Sequence, residues 1–568
     1  MAIYFNGKKR VSPGVFSAVD DRNMLPLRAS VGSVVALVGF ADGGEPFKPI
    51  RVRTYAEAAA VLKGGDLLQA AAAALKPPVE ANGPGALVLV RVSNGTRASL
   101  VLKDAEGRDS LLLQSQDFGR VANLVRVRLE SGSLRGYRVT TAWRNDVYSA
   151  DNVGRAVLQV RYTGAGDARA QVSATEMVLK VGDEVVASIG FAEHATVGDV
   201  ADRINAVAGF EATVLENSRQ HPSAYALDGF AGVVTASGVL ITANLQALID
   251  WFNGGTEPLV KASRAEGALL PPEPVGWSYL SGASDGAVTA ADWQRAFDVL
   301  TSEDVQWVVP ITADPAVHAM ALSHVRFMSE SANRERRAVL GMALGTSDAD
   351  AIEYAASLNS DRAALVHLGY YDYDASGKLA LLPPYILAAM VAGSMAGLPV
   401  GEPLTNKSLQ IKGLERKLRN PIDTDALVEG GVLCVDYDGR RYRVVRSVST
   451  WRVDASYNRV ELSTGVALDY VARSVREALE PLVGGRATPS ILTQAVSRVD
   501  SVLRDLARPE PIGPGILAGD ATSPAFKNIV ASIDGDVLSV SFDASPVIPL
   551  NYATVTVRAV PYQGSASL

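Results

Sequence analysis

From Trp277 onward the sequence alternates in a way that leaves few folds open. Runs with almost no polar residue ("VQWVVPIT", "AVLGMAL", "AALVHLGYY") are separated by segments of helical spacing ("TAADWQRAFDVL", "DPAVHAMALSHVRFMSE", "SDADAIEYAASL", "PPYILAAMVAGSM"). A strand without a polar face must be covered on both sides, and a helix after each strand supplies that cover. The segment therefore predicts a mostly parallel sheet in a layered α/β core, with right-handed crossovers.

The rest of the chain does not share this rhythm, and 568 residues exceed what one core holds, so three or four folded units are expected. Residues 1–20 form an apolar but broken arm with Ile3, Tyr4, Phe5, Val11, Val15 and Phe16, interrupted by Gly7 and Pro13-Gly14; such an arm cannot bury its own apolar groups. In 21–93, "VGSVVALVGFADGG" reads as a buried strand ending in a glycine turn, followed by one or two helices with a break at Gly64-Gly65. Residues 94–274 carry short strands with turn signals, one helical stretch at "HATVGDVADRINAVAG", and a proline-rich exit at "LLPPEPVG", which reads as a β-rich insertion. The α/β core is expected over 275–445, ending in a hairpin at Asp438-Gly439. An α+β region over 446–568 should hold two helices within Val466 to Ala507, a hairpin at Asp534-Gly535, and a last strand, "YATVTVRAV", containing Val555 and Val557.

Chemistry is harder to find. A formal net charge of −7 gives no footprint for phosphate backbones, so no direct nucleic-acid partner is expected. With Cys434 as the sole cysteine there is no intrachain disulfide and no four-thiolate metal site, which suits a reducing cytoplasm. Neither a signal peptide nor a membrane-spanning run is expected. His318 and His324 are six apart, off the i, i+4 spacing of a zinc helix. "GPGILAG" from Gly513 lacks the βαβ context of a dinucleotide site and Asp520 is too close to serve a ribose; no Walker motif exists. Asp348, Asp350 and Glu353 read as first-turn acids that counter a helix dipole. No catalytic residue, cofactor or metal is expected.

One motif pulls the other way: Gly282-Ala283-Ser284-Asp285-Gly286 matches the G-x-S-x-G elbow of α/β-hydrolases. An elbow serine sits between a buried strand and a helix that starts at once. Here the preceding segment is a poor buried strand, and the helix has its own start signal later, at Thr289 with Asp292. Ser284 therefore reads as mid-loop. A serine hydrolase using Ser284, with His318, His324 or His367 and Asp298, Asp304 or Asp314, stays open as the alternative of another class, as does a non-assembling surface-binding β-domain protein.

The order of segments resembles a known family. "YLSGASDGAVTAADWQRAFDVL" is similar to the Leu-x-Gly-(Gly/Ala)-x-Asp-Gly loop and helix of contractile phage tail sheath proteins, carried here by Gly282, Asp285 and Gly286, with "GAS" where a double glycine is commoner. "SLNSDRAALVHLGYYDYD" resembles the family's Asn-Ser-x-Arg strand. "LPPYILAAMVAGSMAGLPVGEPLTNKSLQ" resembles its Pro-Pro helix and Leu-Thr-Asn-Lys segment, and "VVRSVSTW" its Val-Arg-x-x-x-Thr strand. "SPGVFSAV" and "VALVGFADGG" are similar to its Pro-Gly-Val arm and glycine-turn strand.

The resemblance implies a non-enzymatic structural subunit with a layered α/β core, a β-rich inserted outer domain and an α+β C-terminal domain with extended arms. Such subunits stack as hexameric rings or a six-start helix around a tail tube protein, contact baseplate and tail terminator proteins, and shorten on triggering. It further implies that strands containing Ile3, Tyr4, Phe5, Val11, Val15, Phe16, Val555 and Val557 pair with neighbouring subunits. The subunit would assemble in the host cytoplasm and reside in the virion. A tailocin or phage-derived injection system would carry the same signature.

Overall fold

The computed structural model describes residues 3–5, 8–10, 34–374 and 377–564. Its contacts divide the chain into two compact units, one holding Met1–Leu37, Ala72–Val88 and Leu300–Leu568, the other Val38–Ala71 and Leu89–Val299. The second unit thus takes in the 94–274 region together with flanking sequence on both sides.

In the first unit the strands Ala363–Val366, Arg337–Gly341 and Trp307–Pro310 lie side by side in that order, followed by residues 34–37 of strand Val34–Gly39 and residues 86–88 of strand Ala86–Arg91. Trp307–Pro310 pairs in parallel with Arg337–Gly341, which pairs in parallel with Ala363–Val366. Every residue of these strands is buried, as their unbroken apolar character requires.

The helix Pro384–Gly397 packs on this sheet, and 12 of its 14 residues are buried. Its small residues allow the backbone to come close. A Cβ on Gly393 would sit 2.0 Å from the carbonyl oxygen of Ala74, and one on Gly397 would sit 1.8 Å from that of Asn82. The helix Pro315–Glu330 opens on Asp314, whose side chain accepts from Ala316 N, with proline at its first position.

Beyond the sheet, helices Leu462–Leu479 and Pro489–Leu506 pack through Ala467, Val471 and Val475 against Val499, Leu503 and Leu506. The hairpin Phe526–Asp534 and Val537–Ala544 alternates exposed and half-buried residues along both strands. Its inner face, with Phe526, Ile529, Val540 and Phe542, covers the same cluster. The charged residues of Leu462–Leu479 are equally organised. Asp469 lies 2.9 Å from Arg337 and 3.0 Å from Arg362, while Arg473 lies 3.2 Å from Asp304.

The second unit has two separate cores, the sequence of one inserted within that of the other. The outer one lies between the strand groups Val260–Arg264, Asp109–Phe118, Arg97–Lys103 and Asp146–Val153, Tyr137–Trp143, Arg126–Ser131, Val275–Tyr279, with helix Asn244–Asn253 contributing Leu245, Leu248 and Phe252. The inner one is built wholly from Val157 to Ala243, around Val160, Leu179, Ile189 and helix Val197–Asn205. That helix starts at a reciprocal capping box between Thr196 and Asp199.

Two expectations change. The segment "YATVTVRAV" forms no strand, because a strand needs a partner and this one has none among the described residues. Glu353 lies past the first turn of helix Asp348–Leu358, leaving Asp348 and Asp350 at its positive end.

Candidate functional site: the glycine loop, the motif strands and the terminal segments

The loop from Gly282 to Thr289 belongs to the second unit and is fastened from several sides. Asn123 accepts from Ala283 N and donates to Ala283 O, both at 2.9 Å. Thr96 N donates to Ser284 O at 2.9 Å, and Ser284 N donates to Thr96 Oγ1 at 3.0 Å. Asp285 accepts from Arg120 N at 2.8 Å, and Ser93 Oγ donates to Asp285 O at 3.2 Å. Asn94 donates to Ala287 O at 2.9 Å and to Asp292 at 2.7 Å. Three chain segments, near residues 93–97, 119–123 and 282–292, are thereby locked together through one loop.

Gly282 and Gly286 have φ of 86° and 70°. At Gly286 a Cβ would also stand 2.4 Å from Asn94 O. Strain and clash add, so Gly286→Val is expected to lower stability by about 3 kcal/mol or more, read as a lower denaturation midpoint. A midpoint within the scatter of surface variants would show that the loop yields. Beneath the loop, Arg91 is 2% exposed and donates to Gly44 O at 2.7 Å and Phe118 O at 3.0 Å.

Ser284 Oγ lies 3.2 Å from Thr96 Oγ1. The loop precedes helix Ala290–Asp298, which starts with Thr289 N donating to Asp292 at 2.7 Å, so Ser284 is not at a strand-to-helix elbow. The three histidines are engaged within the first unit. His318 pairs with Tyr354 Oη and Thr312 O, His324 with Arg336, and His367 with Asp348. Burial holds the pKa of both His318 and His367 below that of free imidazole.

In the first unit the motif residues bond to one another. Ser360 N donates to Thr450 Oγ1 at 3.0 Å, and Thr450 Oγ1 donates to Ser360 O at 3.1 Å. Asn359, with φ of 36°, ends its helix and accepts from Arg452 N at 3.0 Å. Arg362 reaches Asp469, Arg443 donates to Asn406 at 2.8 Å, and Arg446 pairs with the fully buried Glu461 at 2.6 Å. Each motif is thus a joint between a core strand and the chain that follows. The partners Asp469 and Glu461 carry no sequence signal, because an isolated acid beside a helix reads as solvated.

Ile3, Tyr4 and Phe5 pair antiparallel with Arg10, Lys9 and Lys8 of the same chain. Val11, Val15 and Phe16 lie outside the described residues. Val555 and Val557 are each 85% exposed. Among the described residues, those from Ala553 to Gly564 make no hydrogen bond or ion pair with the rest of the chain.

The family model described as the phage tail sheath protein central domain matches residues 286–450, which take in helix Ala290–Asp298, the strands Trp307–Pro310, Arg337–Gly341 and Ala363–Val366, and the motif residues up to Thr450, but not the partners Glu461 and Asp469. The tail sheath protein of Bacillus phage SP01 is 27% identical over 583 residues, covering 99% of this chain and 98% of its own. A putative tail sheath protein of Enterococcus phage phiEF24C is also 27% identical, covering 98% of each chain. The crystal structure of a sheath tail protein from Listeria innocua shares the fold, with a TM-score of 0.57 over 91% of this chain and 92% of its own at 13% identity. Along its whole length the chain is similar to phage tail sheath proteins, and residues 286–450 match the model of that family's central domain.

Proposed function

We propose that the chain is the repeating structural subunit of a contractile phage tail sheath, which polymerises around a tail tube and shortens to drive the tube through a host envelope. The observation that carries this reading is similarity along the whole length to phage tail sheath proteins, with the terminal segments included. The subunit resides in the virion tail and meets a baseplate. Contacts with a tube protein and a tail terminator, and assembly in the host cytoplasm, belong to the same proposal.

Strand exchange between copies is the link we favour. Hairpin Phe526–Asp534 and Val537–Ala544 is a two-stranded sheet, so its outer edges carry backbone groups able to accept a further strand. The exposed Ala553–Gly564 segment has unpaired backbone groups of its own. Contraction on this reading needs no fuel site. A metastable extended assembly releases free energy when the short form buries more surface, at roughly 25 cal/mol per Å² of apolar area before costs.

Negative-stain electron microscopy of the purified chain tests the reading. Hollow cylinders are expected; monodisperse monomers at high concentration and all salt conditions would refute it.

A further inference from the structure

The C-terminal segment does not simply drift away from the first unit. Val547 N donates to Ile516 O at 3.0 Å, and four residues later Asn551 Nδ2 donates to Glu461 Oε1 at 2.8 Å. That same oxygen receives Arg446 at 2.6 Å, and Arg446 also donates to Tyr552 Oη at 3.3 Å, with its guanidinium 5.9 Å from the ring centre. Asn551 and Tyr552 border a surface groove of about 850 Å³. The side chain of Glu461 is fully buried although Tyr552 is 74% exposed. Contact therefore stops abruptly at residue 552.

Several polar atoms on the buried side of this point are left unpaired within the chain. Among the described residues, Glu461 Oε2, Asn551 Oδ1, Ser447 Oγ, Ser463 Oγ and Arg443 Nε are buried and make no hydrogen bond within the chain. Glu461 thus holds both Arg446 and Asn551 through a single oxygen. A buried carboxylate with so few bonds gains from every one it keeps, so the Asn551 amide has a strong, charge-assisted reason to stay docked. Nothing comparable holds the segment after it.

We propose that Glu461, Arg446 and Asn551 form a latch that fixes where and in which direction the last twelve described residues leave the subunit, so that these are positioning residues for a contact with a second copy. The latch rests on the strand-exchange reading above. A free arm explores many directions; an arm pinned at its root presents a preset strand and loses less freedom on pairing.

The test compares Asn551→Ala, Tyr552→Ala and a chain ending at Tyr552 with the full chain. Asn551→Ala is expected to raise hydrogen exchange at the amides of residues 549–552 by about tenfold or more, the loss of one charge-assisted bond. It should raise the concentration needed for cylinders by a similar factor while lowering the subunit's melting temperature by no more than a few degrees, and Asn551→Gln should restore part of both. Tyr552→Ala, at an exposed ring, reads the same two quantities where folding is not at issue. If the chain ending at Tyr552 fails to assemble but both latch variants assemble at the wild-type concentration, the latch is wrong and the arm reading stands. If the chain ending at Tyr552 itself assembles normally, the arm reading falls and takes the latch with it.

Discussion

Asp469→Ala is expected to lower the stability of the Leu462–Leu479 helix region by about 3–5 kcal/mol, the range for breaking a buried ion pair from one side. The magnitude follows from what the substitution leaves behind. The Arg337 side chain is 4% exposed and that of Arg362 is 17% exposed, and both direct guanidinium nitrogens at the one carboxylate. Without it, two arginines face each other's charge. Arg337 retains Asp361 O at 2.7 Å, and Arg362 retains only a long contact to Arg336 O at 3.4 Å. Asp469→Asn, which keeps an acceptor but loses the charge, should cost roughly half as much. Denaturant unfolding read by hydrogen exchange within Leu462–Leu479 measures both. A cost below about 1 kcal/mol for the alanine variant would mean that water already screens the pair as it does at a surface.

The same network shows where sequence reasoning stops. Strands Trp307–Pro310, Arg337–Gly341 and Ala363–Val366 are legible because continuous apolar character admits few alternatives, and both parallel pairings follow from the helices between them. The hairpins at Asp438-Gly439 and Asp534-Gly535 are legible from their turn residues. Period-two alternation reveals strands between 94 and 274, but not that Val172 pairs with Phe230, nor that Val157 to Ala243 encloses a core of its own. Pairing over such a separation is set by packing rather than by any local signal.

The polar joints are less visible still. Arg362 and Arg446 stand in recognisable motifs, yet their partners Asp469 and Glu461 lie 107 and 15 residues away, with no local signal that either is a partner. Gly393 and Gly397 are visible as small residues in an apolar helix. That they admit Ala74 and Asn82 requires the fold. The terminal strand is a different case: its alternation is real, but the partner that would make it a strand is not among the described residues.

Deleting residues 553–564 is expected to abolish cylinders while leaving a soluble, cooperatively folding subunit. Its own core should not notice, since Val555, Val557, Val560 and Tyr562 are 85%, 85%, 82% and 96% exposed. The assembly should notice greatly. A strand added to an edge makes roughly five backbone hydrogen bonds at about 1 kcal/mol each, so each link is worth ~5 kcal/mol, more than a thousandfold in association. Valines two apart, as at 555 and 557, point to the same side of an extended strand and add burial once a neighbour covers them. Deleting Ala2 to Val19 should likewise block polymerisation if the arm that begins with the Ile3–Phe5 strand links copies; if that truncated chain instead unfolds, the arm belongs to its own subunit's core. Sedimentation of the full-length and both truncated chains in the same salt separates these outcomes. Cylinders of normal length from the chain lacking 553–564 would end strand exchange through the C-terminal segment.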